Sequence, residues 1–153
     1  MNKILVAALA ACILAGPGTV AGAGLFSATS TVIAILAGDL FLGEAEGSLN
    51  GAGTLAIRSQ KTSGLSCLGQ FTSSAKLGGS GQMRCSDGTI ATFQFRRLSI
   101  FSGHGVGNSS RGPMSFVYGL TADETGPYLK LPERRKLTHN GTELELADLQ
   151  EPR

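Results

Sequence analysis

Residues 65–95 of this chain alternate apolar and polar side chains with a period of two, and the alternation puts Cys67 and Cys85 on the same parity. Successive side chains of a strand point to opposite faces, so Leu65, Cys67, Gly69 and Phe71 share one face. In 81–85 the odd positions Gly81, Met83 and Cys85 carry the apolar set, while Gln82 and Arg84 face water. Setting Cys67 opposite Cys85 pairs Gly69 with Met83 and Phe71 with Gly81, which predicts one cross-strand disulfide on the buried face. Closing that loop stabilises the fold by about 3 kcal/mol in the chain-entropy model. A zinc site built from both cysteines with His104 and His139 lacks the close ligand spacings of structural zinc sites, so no metal is expected.

The turn at Ser86-Asp87-Gly88 fixes the next register. A two-residue loop would set Met83 opposite Thr92 and turn Phe93 and Phe95 to the wet face. A three-residue loop with a left-handed Gly88 sets Met83 opposite Ala91 and Gly81 opposite Phe93, which keeps the apolar residues together. Gly81 then lies between Phe71 and Phe93. Cys85-Ser86-Asp87-Gly88 is a turn signal before it is a catalytic pair.

The same punctuation extends from Ser30 to Leu120, with Gly-x-Gly opening segments at Gly51, Gly79 and Gly103. A phosphate loop would require a following helix, and each of these motifs is followed by a strand-like run. Thr31 to Leu36 and Leu40 to Glu46 read as two strands around Ala37-Gly38-Asp39. Met114, Phe116, Tyr118 and Leu120 form another inward row. After Phe95 the alternation slips at Arg96-Arg97, since Leu98 and Ile100 are apolar on the other parity, and a β-bulge is expected there. Seven or eight strands result. The fold class is all-β, an antiparallel meander of hairpins forming a small barrel or flattened sandwich with one disulfide.

Three regions are expected. Residues 1–23 read as a signal peptide, 24–120 as the antiparallel β domain, and 121–153 as an extended segment and short hairpin packed on it. Within the last, His139-Asn140-Gly141-Thr142 signals a two-residue hairpin that would pair Leu137 with Leu144. The leader combines the charged start Met1-Asn2-Lys3, the apolar run Ile4 to Gly16, and the small-x-small site Ala21-Gly22-Ala23. A membrane anchor needs about 20 apolar residues, more than this run supplies, so no transmembrane span is expected after processing. Leu9-Ala10-Ala11-Cys12 also fits a lipobox, giving lipidation of Cys12 as the alternative. Either route leads outside the cytoplasm, to the periplasm or cell envelope, where thiols oxidise.

From Thr54 to Tyr118 the basic residues are Arg58, Lys61, Lys76, Arg84, Arg96, Arg97 and Arg111, against Asp87 alone. Such a basic middle attracts anionic polymers. The expected binding residues are Arg84, Arg96, Arg97 and Arg111, with His104 in its glycine-rich surroundings as a further candidate. No carboxylate pair suited to glycoside hydrolysis stands out. A Ser-His-Asp triad would have to be assembled from Ser109 or Ser110, His104 and Asp87, and such triads are recognised by geometry. No catalytic residue is assigned, and no cofactor is expected.

The strings Gly38-Asp39-Leu40-Phe41-Leu42-Gly43-Glu44-Ala45-Glu46-Gly47, Gly51-Ala52-Gly53-Thr54, Cys67-Leu68-Gly69-Gln70-Phe71 and Cys85-Ser86-Asp87-Gly88 resemble small exported, glycine-rich proteobacterial β proteins of unknown function. The resemblance spans 38–146, implies an envelope location, and offers no catalytic residue to carry over. The expected function is therefore a non-catalytic envelope β-domain that binds an anionic envelope polymer through a basic face. The alternatives are a periplasmic inhibitor of a cell-wall hydrolase, with an envelope protein as partner, or a hydrolase using His104. No nucleic-acid partner is expected.

Overall fold

In a computed structural model that describes residues 27–74 and 76–150, eight antiparallel strands close into a barrel. The signal peptide and the lipobox cysteine Cys12 lie outside the described residues. The strands run β1 (Ser27–Leu36), β2 (Asp39–Ser48), β3 (Ala52–Ser59), β4 (Ser66–Ser73), β5 (Gly78–Cys85), β6 (Ile90–Arg97), β7 (Gly103–Ser109) and β8 (Gly112–Tyr118). Each pairs with the next, and β1 closes the circle on β8 through Val32↔Tyr118 to Leu36↔Met114. Closure leaves no open edge within the barrel itself. A one-turn 3₁₀ helix (Ala122–Glu124) and a separate hairpin, β9 (Arg135–Asn140) with β10 (Glu143–Asp148), follow.

The disulfide forms as the shared parity requires. Cys67 is bonded to Cys85, with Gly69 opposite Met83 and Phe71 opposite Gly81. The next turn is the three-residue loop, with Gly88 at φ +87° and Met83 opposite Ala91. Inward glycines face inward aromatics, because an eight-strand barrel has room for one large ring per rung only where its neighbour has no side chain. A methyl on Gly53 would fall onto the Phe71 ring, and one on Gly105 onto Phe116. The rings meet edge to face, Phe71 on Phe95, Phe95 on Tyr118, and Phe93 on Phe116, with centroids 5.5, 5.9 and 5.4 Å apart.

Outward residues of β3 to β6 are mostly polar, as Thr54, Gln70, Gln82, Thr92 and Gln94 illustrate, with Leu68 and Ile90 as exceptions. That order is the reverse of the apolar outer band of a membrane-spanning barrel. Among the described residues no helix is long and apolar enough to cross a membrane. The second half of β1, Val32 to Leu36, is however buried on both faces. Val32, Ala34 and Leu36 point into the barrel, while Ile33 and Ile35 lie outside it beneath the C-terminal segment. There they pack with Leu40, Val117, Leu129 and Leu144. Ser115 pins the segment by accepting the Lys130 N–H at 2.9 Å.

Three sequence expectations are corrected. No bulge follows Phe95: the β6–β7 register continues regularly through Arg96↔His104 and Arg97↔Gly103, and the apparent slip is simply the end of the strand. Leu98 and Ile100 belong to the exposed loop beyond it. Leu120 leaves the inward row, since the chain turns at Gly119 (φ +64°) and Leu120 packs on the outer cluster. The tail hairpin turns at Gly141-Thr142, with Gly141 at φ +66°, so Leu137 faces Leu146 and Leu144 faces His139. Glycine at the first loop position fits that tight turn without a left-handed asparagine.

Candidate functional site

The alternating strand direction gives the barrel two unlike ends. One end carries the β1–β2 turn and the β3–β4, β5–β6 and β7–β8 loops, and the disulfide lies beside it. Arg111 there bridges Asp39 at 3.6 Å and Asp87 at 3.5 Å, while Lys61 reaches Asp39 at 3.7 Å. Asp87 also accepts the Thr89 N–H at 2.9 Å, and its hydrogen bonds to Thr89 hold its carboxyl below the ordinary aspartate range, with Arg111 adding to the effect. Leu36, Phe41, Ile57, Cys67, Cys85 and Met114 fill the lumen at this end. It is closed.

The other end is open. A cavity of about 590 Å³ runs from its mouth toward the middle of the barrel. That volume falls within the usual range for small-molecule sites. Val32, Leu55, Phe93 and Phe116 line its depth, and Ala45 and Gly47 open one wall. Ser27, Ser30, Ser48, Asn50, Ser73, Arg97 and Tyr118 ring the mouth with polar groups.

Arg97 organises that mouth. It sits on the inward parity of β6 two residues after Phe95, and its guanidinium joins two loops. Nε donates to the Ser74 carbonyl at 3.0 Å, Nη1 to the Ile100 carbonyl at 3.1 Å, and Nη2 to Ser73 Oγ at 2.9 Å. Ser73 N–H in turn donates to the Gly51 carbonyl at 2.7 Å, and Ser30 Oγ donates to the Phe101 carbonyl at 2.8 Å. The rim is thus stitched from the β2–β3 loop round to β1. Among the described residues no carboxylate pairs with Arg97. A guanidinium carries five N–H donors, so two remain after these three bonds.

Beside it the Tyr118 hydroxyl is buried and has no hydrogen-bond partner among the described residues. Burial raises the phenol above its ordinary value, and the Arg97 charge offsets this in part. The phenol is therefore a neutral donor at physiological pH. A buried hydroxyl without a partner is costly, and it marks a place where a bound polar group would be stabilised.

The other expected site residues do not assemble. Arg84 and Arg96 both point outward but lie at opposite ends of the β5–β6 ribbon, facing Ile90 and Gly78 respectively. Arg111 is engaged at the closed end and Arg97 is turned inward, so the four arginines form no single basic face. His104 is half-buried on the outer wall, stacked on the Tyr128 ring with centroids 4.3 Å apart. Ser109 sits at the far end of the same strand and on the opposite parity, and its hydroxyl donates to the Gly112 carbonyl at 2.9 Å. The Ser-His-Asp grouping is not brought together. Among the described residues no cluster of His, Cys, Asp and Glu suited to a metal ion occurs.

Sequence reasoning missed the cavity and Arg97's place in it, although the signal was present. Phe93, Phe95 and Arg97 share one parity, and only the postulated bulge turned the arginine outward. No family model matches the chain, and no curated protein or solved structure is significantly similar to it.

Proposed function

We propose that this protein is a non-catalytic, exported binding protein of the cell envelope that holds a small amphipathic anion in the open end of its barrel. The apolar part of the ligand lies against Phe93, Phe116, Val32 and Leu55, and its acidic head meets Arg97 and Tyr118. The observation that carries this reading is the pairing of an uncompensated inward arginine with an unpartnered buried phenol at the mouth of an apolar cavity. The leader and the disulfide support an extracytoplasmic setting. Binding moves from the outer wall, where the arginines are scattered, to the lumen.

Dodecanoate and dodecanol provide the test, read by displacement of an anilinonaphthalene sulfonate probe. A charge-assisted contact contributes about 1.5–3 kcal/mol, or roughly 10- to 100-fold in affinity. Tyr118→Phe, which keeps the ring packing, should weaken dodecanoate several-fold. Arg97→Met should weaken it by at least that full factor, with dodecanol changed little. Ala45→Phe, which fills the lumen, should weaken both ligands. Dodecanoate affinity equal to the parent's in all three variants, or no binding by the parent protein, rules the site out.

A further inference from the structure

The open end carries a second property, distinct from the cavity. Three loops form its rim, at 49–51, at 74 and 76–77, and at 98–102, and together they hold five of the nine exposed large apolar side chains among the described residues. Leu49 is 81% exposed, Leu77 79%, Ile100 69%, Phe101 57% and Leu98 49%. They project from three separate hairpins around one opening, with Leu49, Ile100 and Phe101 reaching its mouth. Folding gains nothing from apolar side chains placed there. Clustered exposure of this kind marks an interaction surface.

We infer that this collar docks the barrel, mouth down, on the surface of an anionic phospholipid bilayer. Charge favours that partner over a protein one: the three loops contain Lys76 and no acidic residue, and Arg96 stands exposed at the adjoining strand end. The closed end, by contrast, is polar and ion-paired. Shape favours it too, because apolar loop tips gathered round a hydrogen-bonded rim suit shallow insertion between lipid headgroups. Docking in this orientation sets the cavity mouth against the source of amphipathic ligands. The inference stands on surface side chains alone, so it is tested apart from ligand binding in solution.

The test is co-sedimentation of the full chain, as the cell processes it, with vesicles of equal parts phosphatidylglycerol and phosphatidylethanolamine. The parent protein should sediment with these vesicles, less so in high salt and less so with phosphatidylcholine alone. Leu49→Ser, Leu77→Ser, Ile100→Ser and Phe101→Ser combined should weaken binding by at least about tenfold. The pair Leu49→Ser and Leu77→Ser, at the two most exposed side chains of the collar, should give an intermediate loss and serves if the fourfold variant does not fold. Leu68→Ser with Ile90→Ser, on the outer wall, should bind as the parent does. A parent protein that stays in the supernatant overturns the proposal. So does unchanged binding by the collar variants, which would assign attachment to residues before Ser27 or to a lipid on Cys12. A collar variant that turns a dimer into a monomer without altering vesicle binding also overturns it, in favour of a second copy of this chain.

Discussion

Replacing Cys67 and Cys85 together by alanine tests the strand alignment on which every inward assignment depends. The two sulfurs close a loop of sequence separation 18, and the chain-entropy model gives about 3 kcal/mol for a loop of that length. Both residues are buried, at 0% and 5% exposure, so losing each sulfur adds about 1 kcal/mol of packing. The double variant should therefore lose about 4–5 kcal/mol. For a domain of about 120 residues the unfolding entropy is about 0.25 kcal/mol per kelvin, which converts that loss to a Tm lower by about 15–20 °C. Circular dichroism melts of the oxidised parent and the double variant read the difference. Dodecanoate affinity in the folded variant should be unchanged, because the disulfide lies at the closed end and does not line the cavity. A Tm shift under about 5 °C, with the disulfide confirmed by peptide mapping of the parent, would refute the entropic account. Free thiols at both positions would refute the pairing itself.

Other expectations follow from the interior and from the closed end. Gly105→Val drives a side chain into the Phe116 ring and the Gln94 carbonyl, and should cost about 3 kcal/mol or more by denaturant melts. Gly126→Ala, with nothing within 4 Å of the added carbon, should be neutral within about 0.5 kcal/mol. Asp87 has a folded value below its unfolded one, so its contribution is complete above the unfolded value of about 3.9 and is lost as pH falls through the lower folded value. Melts between pH 5 and pH 2, a window of about three units around that value, should show Tm falling less steeply in Asp87→Asn than in the parent. Parallel slopes would sink that assignment.

Much of the barrel was legible because period-two alternation is a strict rule wherever one face is buried. Once Cys67 and Cys85 share a face, the partners of Gly69, Phe71, Gly81 and Met83 follow, and all four lie where the parity puts them. The same rule failed where burial was two-sided. Val32 to Leu36 is buried on both faces, and what covers Ile33 and Ile35 is a segment almost a hundred residues away, around Leu129. No local pattern announces such a partner. The tail hairpin slipped by a two-residue step because either turn position keeps Leu137 and Leu144 on one face, so hydrophobic patterning does not separate the two registers.

The arginines show how a local misreading becomes a functional one. With a bulge at Arg96-Arg97, charge density in the sequence translates into a basic outer face. Without it, parity divides the neighbours: Arg96 goes to solvent and Arg97 to the lumen. An inward arginine is expensive unless its donors are met, and the price here is covered by carbonyls and a hydroxyl that leave the positive charge itself unneutralised. No neutral side chain offers three donors in one planar fork, so the rim bonds themselves call for the guanidinium's shape. Its charge still meets no carboxylate among the described residues. Its place beside the Tyr118 hydroxyl, over an apolar lumen, is what the proposed contact with a bound anion would use.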